Sequence, residues 1–198
     1  MNLPNKLTIF RIILVPIMVA FAYIHIDFEF LQIPITSWIL ALIFAISSYT
    51  DHLDGMIARK NNQITDFGKF ADPLADKILV LSAMLILIEL NKLPAWIPVI
   101  VVTREFAVSG YRLIAAEKKG EVIAASIWGK IKTATQMLGI IGLFLSNYAI
   151  FEFTYNDCIV GSGQFIINLL SSILISVSVV ATVFSGYDYL KNFKKLLK

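Results

Sequence analysis

The chain has 198 residues, 58% of them apolar and only 16% charged, with a mean hydropathy of +0.76. A soluble domain is closer to half apolar and a quarter charged, so this composition argues against a water-soluble enzyme and for a membrane protein. The net charge is +3, and the lone cysteine, Cys158, excludes an intramolecular disulfide and a paired-cysteine metal site.

The first apolar run covers residues 7–26. Lys6 and Arg11 near its start and the small-x-small triplet Ala20-Phe21-Ala22 resemble a secretory signal. It nevertheless reads as a retained span, because about 20 residues cross the roughly 30 Å hydrocarbon layer. Within it Asn5, Thr8 and Arg11 follow at i, i+3 and i+6 and share a helix face, with Thr8 also a plausible cap. His25, at its far end, reads as an interfacial residue. A second run, 30–50, carries no charge. The third, 72–91, has an uncharged part of only 11 residues, 78–88, so it spans only if its helix begins near Asp72. That draws Asp72, Asp76 and Lys77 to the membrane edge. The fourth, 94–116, carries Arg104 and Glu105 in its middle, while the fifth and sixth, 133–151 and 164–187, are uncharged.

These runs predict an all-α integral membrane protein of six transmembrane helices, with 1–198 as one membrane domain. An even number of spans puts both termini on one side, together with 51–76, 112–132 and the tail "KNFKKLLK". Nearly all Lys and Arg fall there. The opposite loops, 27–33, 90–95 and 152–163, hold Lys92 beside Asp27, Glu29, Glu152 and Asp157. The positive-inside rule therefore makes both termini and the aspartate segment cytoplasmic, in a cell-membrane protein. Lys191, Lys194, Lys195 and Lys198 read as an anchor for anionic lipid.

Four aspartates, Asp51, Asp54, Asp72 and Asp76, fall within 26 residues. Asp51 and Asp54 are i, i+3 on a continued second helix; Asp72 and Asp76 are i, i+4 on the third. Two helices joined by a short turn can aim all four at one point. Carboxylates that close repel one another and are desolvated at the membrane edge. One or two divalent cations resolve both problems, and hard oxygen donors suit Mg²⁺, Mn²⁺ or Ca²⁺ rather than zinc. Gly55, directly after Asp54, leaves room for a ligand; Gly68 permits close backbone approach. Arg59 offers a fixed cation to phosphate. His52 lies about 100° round the helix from Asp51, outside the ligand set.

The pattern Asp51-x-x-Asp54-Gly55-x-x-Ala58-Arg59, eight residues, Gly68-x-x-x-Asp72-x-x-x-Asp76 resembles the signature of the CDP-alcohol phosphotransferase family at every fixed position. The resemblance implies a six-helix membrane enzyme, a homodimer, that transfers a phosphatidyl-type group from a CDP-linked donor to an alcohol and releases CMP. It implies Asp51, Asp54, Asp72 and Asp76 as ligands of two Mg²⁺ or Mn²⁺ ions, with Asp76 also the general base. Gly55, Ala58, Arg59 and Gly68, with Asn5 and Thr8, would bind CDP-diacylglycerol. The stretches "LPNKLTIFRI" and "TREFAVSGYRLIAAEKKGEVIAASIWGKIKTATQM" resemble the family's bacterial phosphatidylglycerophosphate synthases, which makes glycerol 3-phosphate the expected acceptor. Beyond about residue 150 the likeness is one of hydropathy alone. Substrates and membrane lipid are the expected partners, with no nucleic acid.

An acceptor bearing a phosphate dianion needs cations near the carboxylates. Arg104 lies mid-span, where an unpaired charge costs at least ~2.5 kcal/mol. Glu105, one residue on, points about 100° away and reads as a poor direct partner. Arg112 falls about 80° round from Arg104, so both can face one cavity. Arg104, Arg112 and Lys130 are the expected phosphate clamp, with Lys132 in reserve. Relatives with the same signature use inositol phosphate, serine or phosphatidylglycerol as acceptors. More distant alternatives are an intramembrane prenyltransferase, which has a second aspartate cluster absent here, and a divalent-metal transporter, whose site lies near the midplane.

Overall fold

A computed structural model of the protein describes residues 2–24, 26–60, 66–119, 127–152 and 162–196, excluding the side chains of 3–4, 52–55, 57–60, 66–67, 69, 112–119, 190 and 192–196. Among the described residues six helices form: α1 (Leu3–Ala22), α2 (Ile35–Lys60), α3 (Asp66–Glu89), α4 (Trp96–Lys119), α5 (Ile127–Leu145) and α6 (Gly163–Leu196). The helix ends follow local chemistry. A proline in the first turn starts α1, where its missing N–H costs nothing. Asn91, at φ 56°, turns the chain out of α3 in the left-handed region that asparagine tolerates, while Lys92 N–H returns to Leu87 O at 2.8 Å.

Helix bounds shift from the apolar runs, α1 ending at Ala22, α3 beginning at Asp66 and α5 covering Ile127–Leu145, and the start of α2 departs in kind. The second apolar run was expected to begin at residue 30, but 29–34 form a hairpin of β1 (Glu29–Phe30) and β2 (Ile33–Pro34), and α2 starts only at Ile35. Leu31 and Gln32 both take positive φ, 55° and 62°, which closes a tight two-residue turn. Trp38 secures it, donating Nε1–H to Phe30 O at 3.1 Å with its ring edge-on to Phe30. At its other end α2 continues past the apolar run, through Asp51, to Lys60.

Helix α1 packs on α2 and α3, α5 on α6 and α2, and α4 on α6. The core lies where these contacts meet, around Met18, Phe44, Leu79, Leu87, Ile140 and Phe144. The α5–α6 crossing is close enough to require glycine. A Cβ at Gly142 would stand 2.1 Å from Ser171 Oγ, and one at Gly139 would stand 2.8 Å from Ile175 Cδ1. Buried hydroxyls on α6 turn back to their own helix: Ser171 to Ile167 O at 2.6 Å and Thr182 to Ser178 O at 2.6 Å. They add polarity inside the bundle without leaving unpaired donors.

The end of the bundle opposite the aspartates is tied by polar contacts. Asn168 donates to Ala149 O and Glu152 O, and Ile150 N–H to Lys92 O. In the turn after α3, Lys92 donates to Phe144 O at 3.1 Å, and burial pushes its ammonium down to about 8. Among the described residues, two helical stretches suffice by length and apolarity to cross a membrane, 5–22 and 163–189, with a shorter apolar stretch at 35–51. Helices α3 and α4 carry charge within their apolar runs, and α5 carries Lys130 and Lys132 just ahead of its own.

Candidate active site

The N-terminal half of α1 faces the ends of α2 and α3 that bear the aspartates. Thr8 Oγ1 donates to Asp72 Oδ1 at 2.5 Å, and Arg11 Nη1 to Asp51 Oδ1 at 2.6 Å. Both α1 side chains are buried, Arg11 with no exposure at all. The i, i+3 spacing thus puts one neutral and one cationic donor on one face, each holding a carboxylate from a different helix. Asp51 and Asp72 each keep a second oxygen for another partner.

Asp76, one turn after Asp72, differs from both. Its Oδ1 is buried and has no hydrogen-bond partner among the described residues. The charges near enough to act on it are those of Asp51, Lys132, Arg11 and Glu105. A buried carboxylate oxygen with no donor is costly unless a cation or a substrate proton completes it. This orphaned oxygen and the all-carboxylate donor set fit a divalent ion held by Asp51, Asp54, Asp72 and Asp76. Among the described residues no three such side chains converge as a ready-made cage, and the side chain of Asp54 lies outside them.

Asp76 opens on a cavity of about 330 Å³ between α3, α4 and α5, which Lys77, Arg104, Glu105, Lys132 and Gln136 also line. Its charged groups form a connected chain. Lys132 Nζ donates to Glu105 Oε1 at 2.5 Å, and Arg104 Nη1 donates to the same oxygen at 3.1 Å. Arg104 continues to Ser185 Oγ on α6, and its guanidinium lies 5.7 Å from the centre of the Tyr189 ring. Lys77 Nζ donates to Ser109 Oγ at 2.6 Å, joining α3 to α4.

Several expected positions are settled by this geometry. Arg104 and Lys132 share the cavity with Asp76, whereas Lys130 is exposed and does not line it. Helical spacing explains the split, since residues two apart point about 200° from each other. The expectation that Glu105 is a poor partner for Arg104 is overturned. The angle between Cα–Cβ directions ignores the length of the guanidinium, which reaches sideways along the helix to its neighbour. Gly68 is buried in the first turn of α3, a helix that begins six residues before Asp72. Asn5 is half-buried on α1. The side chains of Gly55, Ala58, Arg59 and Arg112, like that of Asp54, lie outside the described residues. Lys77 and Gln136 went unnoticed as cavity residues. A lysine next to Asp76 and an amide early in an uncharged run were the available signals.

A family model described as CDP-alcohol phosphatidyltransferase matches residues 1–184. The CDP-diacylglycerol–glycerol-3-phosphate 3-phosphatidyltransferase of Bacillus subtilis is 40% identical over 98% of this chain and 97% of its own. Proteins of the same name from Rickettsia bellii and Haemophilus influenzae are 34% and 36% identical, each over 98% of this chain, covering 96% and 94% of their own. A full-length match of this kind, on a bundle that gathers the signature aspartates at one end, establishes the relationship. The chain belongs to the CDP-alcohol phosphatidyltransferase family.

Proposed function

We propose that the protein transfers the phosphatidyl group of CDP-diacylglycerol to sn-glycerol 3-phosphate, giving phosphatidylglycerophosphate and CMP. The observation that carries this reading is the shared cavity, which sets the unpartnered Asp76 oxygen beside Lys132 and Arg104. A base and phosphate-binding cations are what an acceptor with a primary hydroxyl and a phosphate requires. The names of the full-length relatives support the same substrates.

In this mechanism Asp51, Asp54, Asp72 and Asp76 would hold the divalent ions, Mg²⁺ or Mn²⁺. Such ions supply positive charge against the donor's pyrophosphate. Thr8 and Arg11 orient two of the carboxylates from α1. Asp76 accepts the proton of the acceptor's primary hydroxyl. The freed oxygen forms a bond to the phosphorus that carries diacylglycerol, and the bond from that phosphorus to CMP breaks. Lys132 and Arg104 receive the acceptor's phosphate, while Gly55, Ala58, Arg59 and Asn5 would bind the donor nucleotide.

The six helices are read as six spans with both termini cytoplasmic, on the charge asymmetry of the loops. Every helix also exposes large apolar side chains, among them Ile13, Leu42, Leu85, Phe106, Leu138 and Val183, one from each. An apolar surface of that extent suits lipid rather than water. The site then lies at the cytoplasmic edge, where diacylglycerol chains arrive from the bilayer and the acceptor from water.

The test is turnover of CDP-diacylglycerol by the purified chain in detergent, with glycerol 3-phosphate, inositol phosphate, serine and phosphatidylglycerol supplied in turn. CMP release is expected with glycerol 3-phosphate alone, lost in EDTA and restored by Mg²⁺ or Mn²⁺. Asp76→Asn should lower kcat by about 10²–10⁴-fold with little change in the donor constant. Preference for another alcohol would replace the acceptor, and full activity without metal would remove the ions from the scheme.

A further inference from the structure

Glu105 is an anion in a place that has to receive one. It lines the cavity with Asp76, yet it is neither in the signature nor among the cations expected to meet the acceptor. Its Oε1 takes bonds from two cations on different helices, Lys132 of α5 and Arg104 of α4. These two are held differently. Arg104 also bonds Ser185 and lies against the Tyr189 ring, so two of its five N–H groups are engaged and its guanidinium is anchored toward α6. Lys132 spends one of its three ammonium hydrogens on Glu105, and two remain for phosphate oxygens.

A lysine side chain has four rotatable bonds, and fixing them costs conformational entropy unless something else holds the chain. The 2.5 Å bond to Glu105 provides that hold. The same carboxylate oxygen is also held by Arg104, which is anchored to α6. The chain Lys132–Glu105–Arg104–Ser185 therefore couples the cavity wall to three helices.

We propose that Glu105 is a positioning residue for acceptor binding: its carboxylate presets the Lys132 ammonium at the cavity wall, where that ammonium meets the phosphate of the acceptor. Glu105 acts through Lys132 and touches neither substrate. The proposal rests on the reading above, in which the acceptor carries a phosphate.

The experiment is steady-state kinetics of the purified full chain in detergent with Mg²⁺, each substrate varied at saturating levels of the other. The wild type, Glu105→Gln, Lys132→Met and the double variant are compared. Glu105→Gln should raise KM for glycerol 3-phosphate about tenfold, the scale of one charge-assisted hydrogen bond. KM for CDP-diacylglycerol should stay within about twofold, and in the Lys132→Met background the substitution should add almost nothing. Should Glu105→Gln fail to fold by thermal melting, Glu105→Asp, which keeps the charge one methylene short, is expected to show a smaller rise in the same constant. An unchanged acceptor constant, equal weakening of both substrates, or additive effects in the double variant would each overturn the positioning role while leaving the reaction intact. No wild-type turnover of glycerol 3-phosphate would instead overturn the reading of the reaction, and the proposal with it.

Discussion

At the residue scale, the guanidinium of Arg11 is removed from solvent and set on Asp51, while Thr8 holds Asp72. These contacts stand where a divalent ion would otherwise have to supply all the compensation for clustered carboxylates. Arg11→Met should therefore lower the melting temperature in EDTA, by the equivalent of about 1–3 kcal/mol for a charged group left without its partner. Adding Mg²⁺ should close part of that gap, because the ion meets the same negative charge. Thr8→Val, losing a neutral donor, should cost about 1 kcal/mol. Equal destabilisation by Arg11→Met with and without Mg²⁺, followed by circular dichroism, would make Arg11 a packing residue only. The aspartates and the α1 face were legible from spacing, since i, i+3 and i, i+4 offsets follow from helix geometry alone. The Arg104–Glu105–Lys132 chain was not. It depends on where α4 and α5 cross and on side-chain reach, neither of which is encoded in offsets within one helix.

At the scale of elements, the α5–α6 pair makes the most extensive contact among the described residues, and glycine makes it possible. Gly142→Leu should destabilise the bundle by more than the roughly 1–3 kcal/mol of an ordinary overpacked core, since Ser171 and its helix backbone stand in the way. Gly110 is the control. A Cβ there meets nothing within 4 Å, so Gly110→Ala should leave stability unchanged or raise it by about 0.5–1 kcal/mol through helix propensity. Thermal melting of both variants in one detergent decides the matter. Helices were legible from the apolar runs, but the hairpin before α2 was not. Its turn uses Leu31 and Gln32 where an Asn-Gly pair would have announced it, and contacts such as Trp38 on Phe30 hold the strained backbone.

For the whole molecule, the charge asymmetry of the loops makes a topological prediction that the lone cysteine can test. If both termini are cytoplasmic, Cys158 belongs to an outer loop, and a membrane-impermeant maleimide should label it in intact cells. In a Cys158→Ser background, Lys191→Cys, at an exposed position of α6, should be labelled only after the membrane is opened. The reverse pattern would invert the topology, and labelling of both sites in intact cells would break the six-span count. Membership of the family, with the cavity at the aspartate end of the bundle, leaves the prenyltransferase and transporter readings without support. The sequence by itself determined the membrane class, the helical architecture, the aspartate cluster and the family, because hydropathy and helix-face spacing are local properties of the chain. Only the tertiary structure decided which charges share a cavity. Lys132 rather than Lys130 faces Asp76, and Glu105 joins Lys132 to Arg104, because helix rotation and crossing are set by core packing such as the glycine contact of α5 with α6.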